Sequence, residues 1–178
     1  MKKIHFYVSP SSKAIEIAEK LKRRYGHHDI DQANQMVAIG GDGTMLNAIH
    51  TVMESGNPIP IYGINYGTLG FLMNSPSDNC LIERINNAHT DIFNPLQITA
   101  NHFDGSGTEA MAVNDICVSR MSSKAVNLSI NVDFEERIPM FSGDGIVVST
   151  DIGSTAYNRS AGGPVIPLGA GIIALTPV

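Results

Sequence analysis

The hydrophobic pattern of this chain changes period near residue 95, and that change limits the folds open to it. Before it, short all-apolar runs alternate with segments of helical spacing. Ile4 to Val8 is such a run, after which Ser11 or Ser12 can cap a helix that places Ala14, Ile17, Ala18, Leu21 and Tyr25 on one face. Met36 to Ile39 reads as a second strand, and "PIPIYGIN", Pro58 to Asn65, as a third. Between them Thr44 is expected to cap a helix carrying Met45, Ile49, Val52 and Met53. Short strands that are apolar on both faces and separated by helices belong to a parallel sheet covered on both sides.

After the change, polar and apolar residues alternate. "AVNLSINVDF" puts Val126, Leu128, Ile130, Val132 and Phe134 on one face and Asn127, Ser129, Asn131 and Asp133 on the other, the pattern of a half-buried antiparallel strand. "LQITA", "MAVNDICVS" and "GIVVST" read as its neighbours, joined by turns at "HFDGSG", "MSSK" and "EER". The fold class expected is therefore α/β + all-β. A Rossmann-like parallel-sheet domain covers residues 1–95 and an antiparallel β-rich domain covers 96–178, with Pro95 at the boundary. The 178 residues suffice for one large core or two small ones. The only internal echo is Gly-Asp-Gly, at 41–43 and again at 143–145.

Charge removes some function classes. The net charge of -5 and pI of about 5.6 offer no basic field for nucleic acid or an anionic membrane. The cluster Lys20, Lys22, Arg23 and Arg24 precedes Gly26, where cations ending a helix before a glycine stop are ordinary. Cys80 and Cys117 lack CxxC spacing, so neither a disulfide framework nor a thiolate metal site is indicated and a reducing cytoplasm fits. The start "MKKIHFYVSPSSK" is too short in apolar residues for a signal peptide. The apolar run 164–178 is broken by Pro164, Pro167 and Pro177 and falls short of the roughly 20 residues a spanning helix needs. His5, His27, His28, His50, His89 and His102 form no metal-ligand spacing.

The polar residues that could carry chemistry gather where predicted elements end. In "GGDGT", Gly40 to Thr44, backbone amides could face phosphate oxygens at the start of a helix. The segment is not a dinucleotide fingerprint, since Leu46 holds the third glycine position, and no Lys-Ser/Thr follows to make a P-loop. "GSGTEA" at 105–110 fits the loose fingerprint but lies between antiparallel strands, so a hairpin is expected there. "NYGTLGF", Asn65 to Phe71, is a second glycine-rich strand exit. Asn114 and Asp115 interrupt the apolar "AVNDICV", so one should face inward and need a partner, either a ligand or a structural network. "SGDGIVVSTDIGSTAYNRSAGG", Ser142 to Gly163, is dense in hydroxyls and glycines and could be a plain loop or a polar binding surface.

Taken together and in this order, "GGDGTML", "VND", "GDG" and "STDIGSTAYNRSAGGP" closely resemble the NAD kinases over nearly the whole chain. "GGDGT" alone is shared with diacylglycerol and sphingosine kinases and related to a phosphofructokinase motif; "GSTAYN" with the Asn-Asp pair selects the NAD kinases. The resemblance, which is to the bacterial type, implies transfer of a phosphoryl group from ATP or another donor to the 2'-hydroxyl of the adenosine ribose of NAD, giving NADP. It implies Asp42 as acceptor of the hydroxyl proton, with Gly40, Gly41, Gly43 and Thr44 toward phosphates. Gly43, Phe71, Asn114, Asp115, Asp144, Thr155, Ala156, Tyr157, Asn158 and Ser160 would bind NAD. Asp144 would lie toward the nicotinamide and 155–160 would frame adenine and ribose. Mg²⁺ is implied as the donor's counterion without assigned protein ligands, and a cytoplasmic homo-oligomer is expected.

Relatives carry further strands after "ALTP", so a chain lacking its C-terminal tail, with the catalytic assignment belonging to the longer parent protein, is expected from the apolar ending at Val178. Asp115 stands where many relatives have Glu, and Ser142 where many have a basic residue. Two other classes compete: a lipid kinase sharing "GGDGT", which would need an apolar acceptor cleft, and a dinucleotide-binding module without turnover.

Overall fold

From Gln35 to Gly40 every residue is buried, as a parallel strand covered on both faces requires. This strand, β2, lies between β1 (Ile4–Val8) and β3 (Ile61–Asn65), and both neighbours run parallel to it. Successive β2 side chains point to opposite faces and meet different helices. Val37 and Ile39 pack with Ala14, Ala18 and Leu21 of α1 (Ser12–Tyr25) and with Leu81 and Ile85 of α3 (Leu81–Asn86). Met36 and Ala38 pack with Ala48 of α2 (Asp42–Ser55). These elements come from a computed structural model that describes residues 2–68 and 70–178; Leu69, within the "NYGTLGF" segment, lies outside the described residues.

The chain divides into two compact units, 1–89 and 90–178. In the first, Ser11 caps α1, its hydroxyl accepting the Ala14 amide at 3.3 Å, and Gly26 ends the helix with φ +78°. Two expectations change. Helix α2 begins at Asp42 with Gly41 as its cap, and Thr44 lies inside the first turn. The carbonyl of Gly41 accepts the amides of Thr44 and Met45 (2.9 and 3.2 Å), so the helix is already under way at the threonine. Strand β3 starts only at Ile61, because Pro58 and Pro60 have no N–H to give a ladder. Beside β1, the His28 amide donates to Ile4 O and the Phe6 amide to His27 Nδ1; beside β3, Asn65 N donates to Asn74 O and Asn74 N to Gly63 O.

The second unit is antiparallel. Strands β4 (Leu96–Asn101) and β5 (Gly107–Ala112) form the hairpin expected around "GSG", its loop held by Asp104 Oδ1, which accepts the amide and hydroxyl of Ser106. The predicted strand "MAVNDICVS" is broken: Val113 and Asn114 form a bend between β5 and β6 (Asp115–Ser119). Strands β7 (Val126–Val132) and β8 (Glu135–Gly143) pair around Asp133 and Phe134, whose φ values of +52° and +66° make a tight two-residue turn. Phe134 therefore leaves the apolar face assigned to it, and "EER" lies in β8 rather than in the turn. Strand β9 (Gly145–Ser149) lies between β6 and β10 (Ala174–Pro177), and α4 (Tyr157–Ser160) follows β9 after a short 3-10 turn at Ile152–Thr155. Among the described residues no helix is long and apolar enough to cross a membrane.

Candidate functional site

Two clusters of the expected residues form, one in each unit. In the first, Gly40 to Thr44 stand at the carboxyl end of β2, where open α/β sheets place ligands. The adjacent strand exit closes over them: the amides of Tyr66 and Gly67 both donate to Gly40 O (2.7 and 3.2 Å). Gly67 and Gly41 touch backbone to backbone, since a methyl group on Gly67 would sit 2.9 Å from the Gly41 Cα. Gly40 is tight for a different reason: a Cβ there would collide with the Thr44 side chain and with Ser9. Gly43 is exposed, with open space where a side chain would be, so a ligand can approach its backbone.

The Asp42 carboxylate is fixed. Oδ2 accepts the Phe71 amide at 3.0 Å and Oδ1 the Leu72 amide at 2.9 Å. Each oxygen keeps a lone pair for a further donor, so the group is oriented without being saturated. The Phe71 ring is 76% exposed and packs on no core.

In the second unit the bend at 113–114 turns the Asn114 carbonyl toward the end of β9. It accepts the Thr150 amide (2.9 Å), the Thr150 hydroxyl (3.1 Å) and the Ser149 hydroxyl (3.4 Å). Gly153 packs against the same peptide so closely that any side chain would collide with it. The Asn114 side chain is held beside this junction with Oδ1 buried and no protein donor reaching it. A buried acceptor without a donor costs about 1–3 kcal/mol, so such an atom suits a hydroxyl brought by a ligand. Asp115 lies opposite Ser149 in the β6–β9 register and is half-buried. Burial pushes its carboxyl above the usual range, and the Tyr157 amide only partly opposes this.

The remaining predicted residues divide by exposure. Thr155, Tyr157 and Ser160 are exposed and Ala156 is half-buried, Thr155 and Ala156 on the turn that leads into α4 and Tyr157 and Ser160 at its two ends. Asn158 is fully buried. Its amide nitrogen donates to Ser154 O and Pro164 O, and its Oδ1 accepts the Thr176 hydroxyl. Asp144 is exposed and paired with Arg120 (Nε to Oδ1, 2.5 Å). Arg120 was invisible to sequence reasoning because only the β6–β9 register, which sets Ser119 opposite Gly145, brings it there. Thr150 and Thr176 escaped for the same reason.

Comparison with known proteins gives a consistent picture. Residues 3–90 match the family model of the ATP-NAD kinase N-terminal domain, and residues 113–178 that of the ATP-NAD kinase C-terminal domain. The chain is 43% identical over 173 residues to the NAD kinase of Rhizobium meliloti (strain 1021), covering 97% of this chain and 66% of that protein. It is 41% identical over 176 residues to the NAD kinase of Hyphomonas neptunium, covering 99% and 68%. Its fold is similar to a solved NAD kinase from Archaeoglobus fulgidus in complex with ATP (TM-score 0.74, 26% identity, 100% of this chain and 72% of that one). It is also similar in fold to yeast NADH kinase complexed with NADH (TM-score 0.72, 22% identity, 100% and 66%). The chain thus spans about two thirds of the length of these relatives.

Proposed function

The chain belongs to the NAD kinase family, and on that premise we propose that its protein transfers the terminal phosphoryl group of ATP to the 2'-hydroxyl of the adenosine ribose of NAD. The observation that carries the dinucleotide half of this reading is the buried Asn114 Oδ1 with no protein donor, next to the Asp115 carboxylate. Two neighbouring acceptors suit the two hydroxyls of a ribose. The family models matched are those of ATP-NAD kinases, not of lipid kinases.

In the proposed mechanism Asp42 accepts the proton of the attacking hydroxyl. Its two backbone amides hold the carboxylate in one orientation, and the exposed Gly43 leaves room for phosphate oxygens near the start of α2. In a loose phosphoryl-transfer transition state such positioning contributes more than basicity. Thr155, Ala156, Tyr157 and Ser160 are assigned to the adenosine, Asp144 with Arg120 to the far end of the dinucleotide, and Phe71 to ligand packing. ATP as donor is supported by the ATP complex of the Archaeoglobus relative. Magnesium is expected to enter as part of the nucleotide substrate, where it would offset the repulsion between the Asp42 carboxylate and the phosphate oxygens. A cytoplasmic setting and assembly of identical copies belong to the same proposal.

The test is NADP formation from ATP, Mg²⁺ and NAD by the full-length protein. Asn114→Leu is expected to raise KM for NAD about tenfold or more, the size of one lost hydrogen bond to a buried acceptor. Full NADP formation at unchanged KM in that variant would remove the assigned role of Asn114. No NADP from wild type, with NAD still bound, would leave only a binding module.

A further inference from the structure

The Asn158 side chain is one of the largest fully buried groups in the chain, yet every polar atom it has is spent on protein. Its Nδ2 donates to Ser154 O at 3.2 Å and Pro164 O at 2.8 Å, and its Oδ1 accepts the Thr176 hydroxyl at 2.6 Å. Gly163 leaves the space this requires, because a Cβ there would overlap Asn158 Oδ1 and lie 2.5 Å from Thr176 Oγ1. Ser154, itself fully buried, donates its hydroxyl to Asp151 O and accepts the Ile166 amide at 3.0 Å. Thr176 belongs to β10, which pairs with β9. The turn carrying Thr155, Ala156 and Tyr157 is therefore tied to the sheet from behind through one asparagine and one threonine.

The other side of the same turn is tied to Asn114. Gly153 N donates to the Thr150 hydroxyl at 3.0 Å, Thr150 donates to Val113 O and Asn114 O, and Gly153 itself packs against the Asn114 peptide with no room for a side chain. A shift of this turn would move Gly153 against that peptide and disturb the buried acceptor at Asn114.

We propose that Asn158 and Thr176 are positioning residues for the dinucleotide. They do not touch it, but they set the backbone of 153–157 and, through Gly153 and Thr150, the Asn114 peptide. This rests on the reading of the second unit as the NAD-binding half. It separates Asn158 from Thr155, Ala156 and Tyr157 in "GSTAYN": those three are assigned to the adenosine, whereas the Asn158 side chain is spent on Ser154, Pro164 and Thr176.

Thr176→Val keeps the shape and deletes the one donor that Asn158 Oδ1 has; Thr176→Ser keeps the donor. In the full-length protein Thr176→Val is expected to raise KM for NAD about tenfold, as one unsatisfied buried acceptor can, while KM for ATP stays within about twofold. Hydrogen exchange at the Ala156 amide, which donates to Gly153 O at 2.9 Å, should quicken in the same variant, and Thr176→Ser should restore both. If Thr176→Val does not fold, Thr176→Ser and Asn158→Gln carry the test: Ser must keep wild-type KM for NAD, and Gln, which overfills the site, must raise it selectively. Equal rises in both KM values, or unchanged KM for NAD with unchanged exchange at Ala156, overturn the inference while wild-type activity upholds the NAD kinase reading. A wild type that makes no NADP overturns both.

Discussion

Asp42 carries two loads at once. Its oxygens hold the amides of Phe71 and Leu72, some thirty residues away in the chain, and the same oxygens are the proposed acceptor for a hydroxyl proton. Asp42→Asn replaces one of those oxygens with an NH₂ that must face a backbone N–H. We expect a stability loss of about 1–3 kcal/mol, read by chemical denaturation, for the donor left without an acceptor. NADP formation should fall further than that loss explains, by roughly 10²–10⁴, the usual worth of a positioned acid or base. A fall in activity that only tracks the unfolded fraction would reduce Asp42 to a structural tie. That tie could not be read from "GGDGT" itself, where an aspartate between glycines is equally a turn residue. The buried acceptor on Asn114 was half legible: the polar pair inside an apolar run announced an inward side chain, but not that the strand would bend to place it.

At the scale of elements, burial on both faces made β1 and β2 plain, and Ser11 and Gly26 marked the ends of α1. The failures have local causes. Thr44 has the chemistry of a cap, yet its own amide and that of Met45 already donate to the Gly41 carbonyl, so the helix has begun before it. Alternation in "AVNLSINVDF" runs two residues beyond the strand because nothing in a period of two says where the chain reverses; the positive φ at Asp133 and Phe134 does. The segment after α1 was read as a bare glycine stop, but His27 there accepts the Phe6 amide through Nδ1 at 3.2 Å, which requires a neutral ring. Burial first, then the nearby charges of His5, Lys22 and His28, holds its pKa below the usual value of 6.5, with Asp29 acting the other way. A group whose protonation is disfavoured in the fold gives full stability above its unfolded pKa and withdraws it as pH falls through 6.5 toward the lowered value. Urea denaturation between pH 7.5 and 5 should show that decline, and His27→Gln, which keeps an acceptor but cannot titrate, should flatten it. An equal decline in both proteins would place the acid sensitivity elsewhere.

For the molecule as a whole, the two units are unequal in their means of staying folded. Both clusters of buried apolar side chains belong to the first. In the second, Val113, Ile130, Val147, Ile166 and Ala174 are the buried apolar residues among those described, while Met140, Ile172 and Ile173 are 73%, 59% and 63% exposed. At about 25 cal/mol per Å² of buried apolar surface, this difference decides which unit can stand alone. Residues 1–89 expressed by themselves should unfold cooperatively in urea, whereas residues 90–178 should show no cooperative transition; a sharp transition in the latter would contradict this. The parallel sheet of the first unit is also closed at its sides. The segment at His27 and His28 occupies the free side of β1, and Asn74 occupies the free side of β3. Neither offers a row of open amides for a further strand, so this sheet cannot template the addition of a second chain without first shedding its own guards. Below the pH at which His27 gains a proton, β1 would lose one of those guards, and acid would be the condition under which strand-by-strand aggregation of this sheet becomes accessible.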